Sequence, residues 1–211
     1  MSKAKTSFDR KNHWETIYQT KELTEVSWYQ PKPEVSLNFI KESNLDLSAK
    51  IIDVGGGDSF LADHLLELGY SNITVLDISK NAINRAKERL GNRADKVNWI
   101  VTDISEFHPQ ESYDLWHDRA VFHFLTDKED VETYVETIVN HLKPNGHFIL
   151  GAFATDGPQK CSGIEITQYS PENMEARFSP HFDKIKCMQV QHPTPFNTIQ
   201  NFTFCHFKKT Q

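Results

Sequence analysis

Four aspartates stand where short apolar runs stop. Asp53 lies at the end of the run from Lys50 to Val54, and Asp77 follows Asn72 to Leu76. Asp103 follows Val97 to Val101, and Asp118 follows Tyr113 to His117. One such acid is unremarkable, because aspartate also caps helices and starts turns. Four on consecutive runs make a row of hydrogen-bond acceptors that attracts hydroxyls, amines and positive charge and repels phosphate. Between the first and second runs lies Gly55-Gly56-Gly57-Asp58-Ser59. Glycines let a backbone take positive φ and approach a ligand without a Cβ in the way.

A dinucleotide loop needs a third glycine so that the helix packs tightly and leaves its N-terminus for a pyrophosphate. Gly55 and Gly57 fit that pattern, but Phe60 occupies the third position, and the lysine of a P-loop is missing. The ligand that fits has hydroxyls, an adenine amine, positive charge and no phosphate. S-adenosylmethionine has all of these. Asp77 is expected to accept from both ribose hydroxyls, Asp103 from the adenine amine, and Asp53 to meet the α-ammonium. Ile78 and Ile104 are expected to sandwich the adenine. Trp14 and Trp28 have two readings: packing on the core through aromatic faces, or a lid over a cationic ligand.

The elements that must position these residues follow from periodicity. Residues 9–21 read as a helix, and a second starts near Pro33 and ends near Ser43. Strands alternate with helices from Lys50 onward, with Ser79 and Ser170 as helix caps and Thr126 to Glu129 as a capping box. The tail, about Lys184 to Val190 and Gln200 to Phe207, alternates as an antiparallel pair. This order predicts an α/β, Rossmann-like, mostly parallel sheet with helices on both faces. Its ligand crevice lies at the carboxyl ends of the strands.

With 211 residues, the chain suits a single domain. We expect residues 1–47 to form a helical cap and 48–211 the core. A hydrophobic share of 38% and a charged share of 25% exclude a membrane-embedded or disordered chain. The net charge of −6 argues against a broad nucleic-acid footprint. Cys161, Cys187 and Cys205 show no CxxC spacing. They read as reduced thiols of a cytoplasmic protein, neither a disulfide frame nor a metal site. No apolar run reaches membrane-spanning length, and Met1 to Lys11 lacks a signal-peptide core.

With those pieces in place, the chain resembles the class I S-adenosylmethionine-dependent methyltransferases over nearly its whole length. The resemblance rests on Asp53-Val54-Gly55-Gly56-Gly57-Asp58-Ser59, Val75-Leu76-Asp77-Ile78-Ser79, Thr102-Asp103-Ile104 and Tyr113-Asp114-Leu115-Trp116. Leu142 to His147 is similar to the family's turn into the fifth strand. The resemblance implies a seven-stranded sheet of order 3-2-1-4-5-7-6 with strand 7 antiparallel. It also implies methyl transfer from S-adenosylmethionine, leaving S-adenosylhomocysteine. His13-Trp14-Glu15, Ser27-Trp28-Tyr29 and Leu68-Gly69-Tyr70 resemble lysine methyltransferases acting on elongation factors and citrate synthase. Those enzymes carry Asp-Lys-Gly after the fourth strand, whereas this chain has Asp118-Arg119-Ala120. That stretch looks more like a bacterial group for which the resemblance implies no substrate.

Methyl transfer from a sulfonium is an in-line displacement that needs alignment and a free lone pair. Asp118 is expected to face the acceptor, and His117 and His123 are candidate bases because imidazole titrates near neutrality. For each histidine a structural role is the simpler reading, and we place His117 with the cofactor residues. Arg119 is read either as a bidentate anchor for a substrate carboxylate or as a partner of Asp118. Cys161 reads as a spectator. No Pro-Cys or Asn-Pro-Pro-Tyr motif of DNA methylation occurs. The acceptor is therefore expected to be a small molecule or a protein side chain. The alternatives are a cofactor-binding regulator without activity and, further off, a nicotinamide oxidoreductase.

Overall fold

The structure, a computed structural model, describes residues 8–210. The first residues of the N-terminal segment, for which no signal core is expected, lie outside the described residues. Helices α1 (Arg10–Thr20) and α2 (Glu34–Glu42) precede β1 (Lys50–Val54). The alternating part follows: α3 (Leu61–Glu67), β2 (Asn72–Asp77), α4 (Lys80–Leu90), β3 (Val97–Val101), β4 (Tyr113–Arg119), α5 (Lys128–His141) and β5 (Leu142–Phe153). A two-residue ladder pairs β6 (Lys160–Cys161) with β7 (Ile164–Glu165). Then come α6 (Pro171–Phe178), β8 (Phe182–Pro193) and β9 (Ile199–Lys209).

The main sheet has seven strands in the order β3-β2-β1-β4-β5-β9-β8. Pairing is parallel from β3 through β5 and antiparallel for β5–β9 and β9–β8. This is the expected order, with the last two numbers shifted by the small β6–β7 ladder. Among the described residues no helix is long and apolar enough to cross a membrane.

Side chains alternate across a strand, and that alternation splits the core in two. Ile52, Val54, Trp116, Phe148 and Leu150 pack with α5 and α6. Ile51, Leu115, Ile149 and Phe153 pack with α2 and α3. On β4 this puts His117 and Arg119 on the α2 and α3 side, and Asp118 on the α5 side.

The caps place the helices. Ser79 Oγ accepts from Ala82 N at 3.2 Å, and Ser170 Oγ from Asn173 N at 3.1 Å. The capping box expected at Thr126 does not form: α5 starts one residue later, with Asp127 at its cap and no side-chain hydrogen bond there. A tie not visible in the sequence fixes α1. The Glu15 carboxylate accepts from Lys80 N (2.8 Å), Asn81 N (3.0 Å) and Ser79 Oγ (2.9 Å). An anion at a helix N-terminus satisfies donors that the helix leaves open and complements its dipole. Burial pushes the Glu15 carboxyl up, but these hydrogen bonds outweigh it and hold the group below its ordinary value.

The cysteine expectation is corrected. Cys187 and Cys205 are directly opposite in the β8–β9 register, with Cα atoms 4.1 Å apart, and form a disulfide. Cys161 is free and buried. The sequence separation of 18 carried no spacing signal, because the pairing comes from hairpin register. Reducing the bridge should cost up to about 3 kcal/mol, the loop-closure entropy of such a span. Denaturant midpoints with and without reductant measure this, and equal midpoints would show that the bridge contributes nothing.

Candidate functional site

A cavity of about 1100 Å³, counting its open mouth, runs across the carboxyl ends of β3, β2, β1 and β4 and on to β5 and β9. At the β3 end it is lined by Thr102, Asp103 and Ile104, and next to them by Asp77 and Ile78. In the middle are Asp53, Gly55, Gly56 and His117. Beyond β4 the walls are Arg119, Val121, Phe124, Phe153, Cys161, Gln200 and Phe202. Arg10, Trp14, Tyr18, Trp28 and Ser36 close it from the helical lead-in.

The glycine turn makes the middle possible. Gly55 has φ 66°, and a Cβ there would fall onto Val121, so glycine is required on both counts. Gly57, with φ 28°, lies under the turn outside the cavity lining, and its missing Cβ leaves room for the Asp77 carboxylate. Asp58 ties the turn to α4 through Arg89 (2.5 Å) and Arg85 (2.9 Å).

Asp77 is 5% exposed, and its Oδ1 accepts from Ser79 N at 2.8 Å. Burial, with Asp53, Glu15 and Asp58 nearby, pushes its carboxyl up to about 7, against the pull of the Ser79 hydrogen bond. Hydroxyl donors from a ligand favour the ionised form. Ligand affinity should therefore climb as pH rises toward about 7 and level off above it. A titration series with S-adenosylhomocysteine between pH 5.5 and 8 checks this, and affinity that falls over that range would contradict it.

Asp53 is 3% exposed. One oxygen meets His117 Nδ1 at 2.7 Å, and His117 Nε2 meets Ser36 Oγ at 2.8 Å. The other oxygen turns over Gly56 with no hydrogen bond from a described residue. Asp103 caps a short turn through Ser105 N (3.0 Å) and pairs with Arg10 (3.2 Å), so the capping role and the cavity position coincide. The packing reading of the aromatics holds, and it places them at the cavity wall. Trp14 contacts Trp28 and Phe124 edge to face, at 5.7 and 5.1 Å, while all three line the cavity.

Asp118 and His123 are not in the cavity lining. Asp118 is fully buried on the α5 side, accepting from Tyr134 Oη (2.5 Å), Val121 N (2.8 Å) and Phe122 N (3.1 Å). Its expected role facing the acceptor is corrected by strand parity, which turns it away. Nor does Arg119 pair with it: the guanidinium lies on the other face and donates to Trp28 O at 2.9 Å. His123 sits in a short turn, stacked on Phe153 at 4.6 Å, with Nδ1 accepting from Phe153 N at 3.3 Å. Burial lowers its pKa to about 3, so it stays neutral and cannot hold a proton near neutral pH. Cys161 lines the cavity, but burial pushes its thiol up to about 12, which removes the thiolate a nucleophile needs.

Sequence reasoning missed Ser36, Gln200, Phe153 and Phe202. They reach the cavity through α2, β5 and the terminal hairpin, and no local motif marks them. Ala120, with φ 73°, was also unmarked; the chain leaves β4 there in a conformation rare for a residue with a Cβ.

Comparison with known proteins gives this geometry a context. Residues 52–148 match the family model of a methyltransferase domain. The chain is 31% identical over 107 residues to a malonyl-[acyl-carrier protein] O-methyltransferase of Ilyobacter polytropus, covering 50% of this chain and 40% of that one. It is 24% identical to an eEF1A lysine and N-terminal methyltransferase of Mus musculus, over 97% of this chain and 32% of the relative. The chain thus spans well under half the length of both. Among solved structures, an N-methyltransferase, NodS, of Bradyrhizobium japonicum in complex with S-adenosylhomocysteine superposes with a TM-score of 0.67. The identity is 19%, covering 95% of this chain and 100% of that one. At that identity the likeness is one of fold.

Proposed function

We propose that this chain, which carries a methyltransferase domain in residues 52–148, transfers a methyl group from S-adenosylmethionine to a small-molecule acceptor. The observation that carries the reading is the single cavity holding three strand-end carboxylates, Asp53, Asp77 and Asp103, together with the glycine turn. Those groups fit the cofactor's ammonium, ribose and adenine in that order along β1, β2 and β3, with Ile78 and Ile104 against the base. None of them suits a phosphate. When bound, the cofactor supplies an electrophilic methyl on a sulfonium. Trp14 and Trp28 then act as the aromatic cover, with α1, which carries Trp14, tied to the start of α4 through Glu15, and residues 1–47 work as the cap over a core of 48–211.

The acceptor half favours a small molecule over a lysine side chain. Beyond β4 the lining holds Phe124, Phe153, Phe202, Cys161 and Gln200 and a guanidinium, and no carboxylate. Aromatic walls of this kind bury a small apolar acceptor. Among the cavity residues, His117 is the candidate general base, with Asp53 on its Nδ1 and Ser36 Oγ on its Nε2. Nucleic acid is not part of the reading, given the net charge of −6. The Cys187–Cys205 bridge weighs against the cytoplasmic setting expected from the sequence.

Transfer of a tritiated methyl group from S-adenosylmethionine to lysate components, resolved by size, tests this. Label in the small-molecule fraction supports the reading. Label confined to protein would reverse the acceptor class, and cofactor binding with no label anywhere would favour a regulatory protein.

A further inference from the structure

Gln200 brings a polar group to an aromatic wall and leaves it without a partner. On β9 the alternation that packs Phe204 and Phe202 on the α2 and α3 side reaches Gln200 two residues further along. Phe202 is opposite Phe153, the last residue of β5. Gln200 therefore stands beyond the carboxyl end of that strand, where it lines the cavity. Its carboxamide oxygen is buried and accepts no hydrogen bond from a described residue. The polar neighbour that could reach it is engaged elsewhere. His192, opposite Gln200 in the β8–β9 register, donates through Nε2 to Ser27 O at 2.8 Å. Burial and the nearby Arg119 charge lower the His192 pKa, so near neutral pH its Nδ1 holds no proton to give.

A buried polar atom without a partner costs stability, and native folds rarely keep one without a use. The walls around this one, Phe124, Phe153 and Phe202, offer no hydrogen bond; they offer faces and edges on which flat rings pack. A carboxamide carries an acceptor beside a donor, and its last torsion is broad, so it can turn either end toward a ligand. We propose that Gln200 is a specificity-determining residue for the methyl acceptor, reading the hydroxyl or carboxamide edge of a neutral, flat aromatic molecule held between the three phenylalanines. The inference rests on the methyltransferase reading above and narrows its acceptor class. Arg119 is the one charged side chain in this half of the lining, and Asp53 on the β1 side supports its charge. The end of the cavity at Gln200 is thus uncharged. β5 lies between β4 and β9, so Gln200 stands two strand spacings, roughly 10 Å, across the sheet from β4. An acceptor that spans this distance has the length of two fused rings. Gln200 meets it away from the reacting atoms, and an analogue without the polar edge leaves the carboxamide unpaired.

Calorimetry with 2-naphthamide, 2-naphthol, 2-methylnaphthalene and 2-naphthoate tests this, on protein with and without saturating S-adenosylhomocysteine. Wild type should bind the carboxamide and the hydroxyl probe at least about tenfold tighter than the methyl probe, and the carboxylate no tighter than the carboxamide. Gln200→Met keeps the length of the side chain and removes both hydrogen-bonding groups. It should bring the two polar probes down to the methyl probe, while affinity for the methyl probe and for S-adenosylhomocysteine stays as in wild type. A polar advantage that survives in Gln200→Met overturns the proposal, as do equal affinities for all four probes or no binding of any. Tightest binding of 2-naphthoate overturns it too, because the charge of Arg119 would then be the reader. The wild-type ranking stands even if the variant fails to fold. If S-adenosylhomocysteine gives no heat while the polar probes keep their advantage, the cofactor reading fails and the role of Gln200 in the cavity is supported.

Discussion

Asp77→Ala should remove measurable binding of S-adenosylhomocysteine while leaving the protein folded. The carboxylate lies buried beneath the glycine turn, at the end of β2, with Ser79 N on one oxygen and Gly57 against the other. In the proposed complex it accepts from two ribose hydroxyls. Hydrogen bonds to a charged acceptor contribute about 1.5–3 kcal/mol each, so losing both weakens binding by about 3–6 kcal/mol, or 100-fold and more. The same change leaves one backbone donor, Ser79 N, without its acceptor but removes a buried acid whose ionisation burial opposes, so the fold should survive it. Asp77→Asn, which keeps one oxygen acceptor, should fall between the two. Calorimetry of the variants reads the effect, and unchanged affinity in Asp77→Ala would show that the ribose lies elsewhere.

Asp118→Ala should do the opposite, and lose stability. Its carboxylate satisfies the Tyr134 hydroxyl and two backbone N–H groups inside the buried core. Alanine leaves all three donors unpaired and opens a void, which costs about 3–5 kcal/mol. Denaturant unfolding measures it. A variant with wild-type stability and lost turnover would return Asp118 to the catalytic role that its position in the sequence first suggested.

The pH dependence of the same group has a definite sign. Burial raises the Asp118 carboxyl to about 6, against the pull of Tyr134 and the backbone donors. Between about pH 4 and 6 the native state thus keeps a proton that the unfolded chain has lost, so the contribution of this group to stability declines as pH rises through that window.

Much of this architecture is written locally. The parallel strands read out because buried strands are apolar runs ended by polar residues, as in β1 (Lys50–Val54); the edge strand β3 (Val97–Val101) falls where its apolar run does although only Val97 in it is buried. Ser79 and Ser170 were legible as caps because a side-chain oxygen followed by a helical pattern has one economical use. The cofactor half of the cavity was legible for a related reason: Asp53, Asp77 and Asp103 sit at strand ends, where the fold must open its crevice.

The acceptor half was not legible, for two different physical reasons. Phe153, Gln200 and Phe202 arrive from β5 and β9, and only strand pairing across distant segments brings them to β4. Asp118 and His117, by contrast, are adjacent in sequence, and the information was present. Period-two alternation from Leu115 and Asp53 already assigns His117 and Arg119 to one face and Asp118 to the other. Strand-end position alone drew the aspartate in, and parity sends it out. The Cys187–Cys205 bridge belongs with the first kind, since it depends on which residues a long hairpin sets opposite each other.

The central claim is that this cavity is built for S-adenosylmethionine and its product. Titrating the purified protein with S-adenosylhomocysteine in a calorimeter tests that most directly. One saturable site per chain, unaffected by excess nicotinamide dinucleotide, is the predicted result. No heat with either S-adenosylhomocysteine or S-adenosylmethionine, or binding that the dinucleotide displaces, would contradict it.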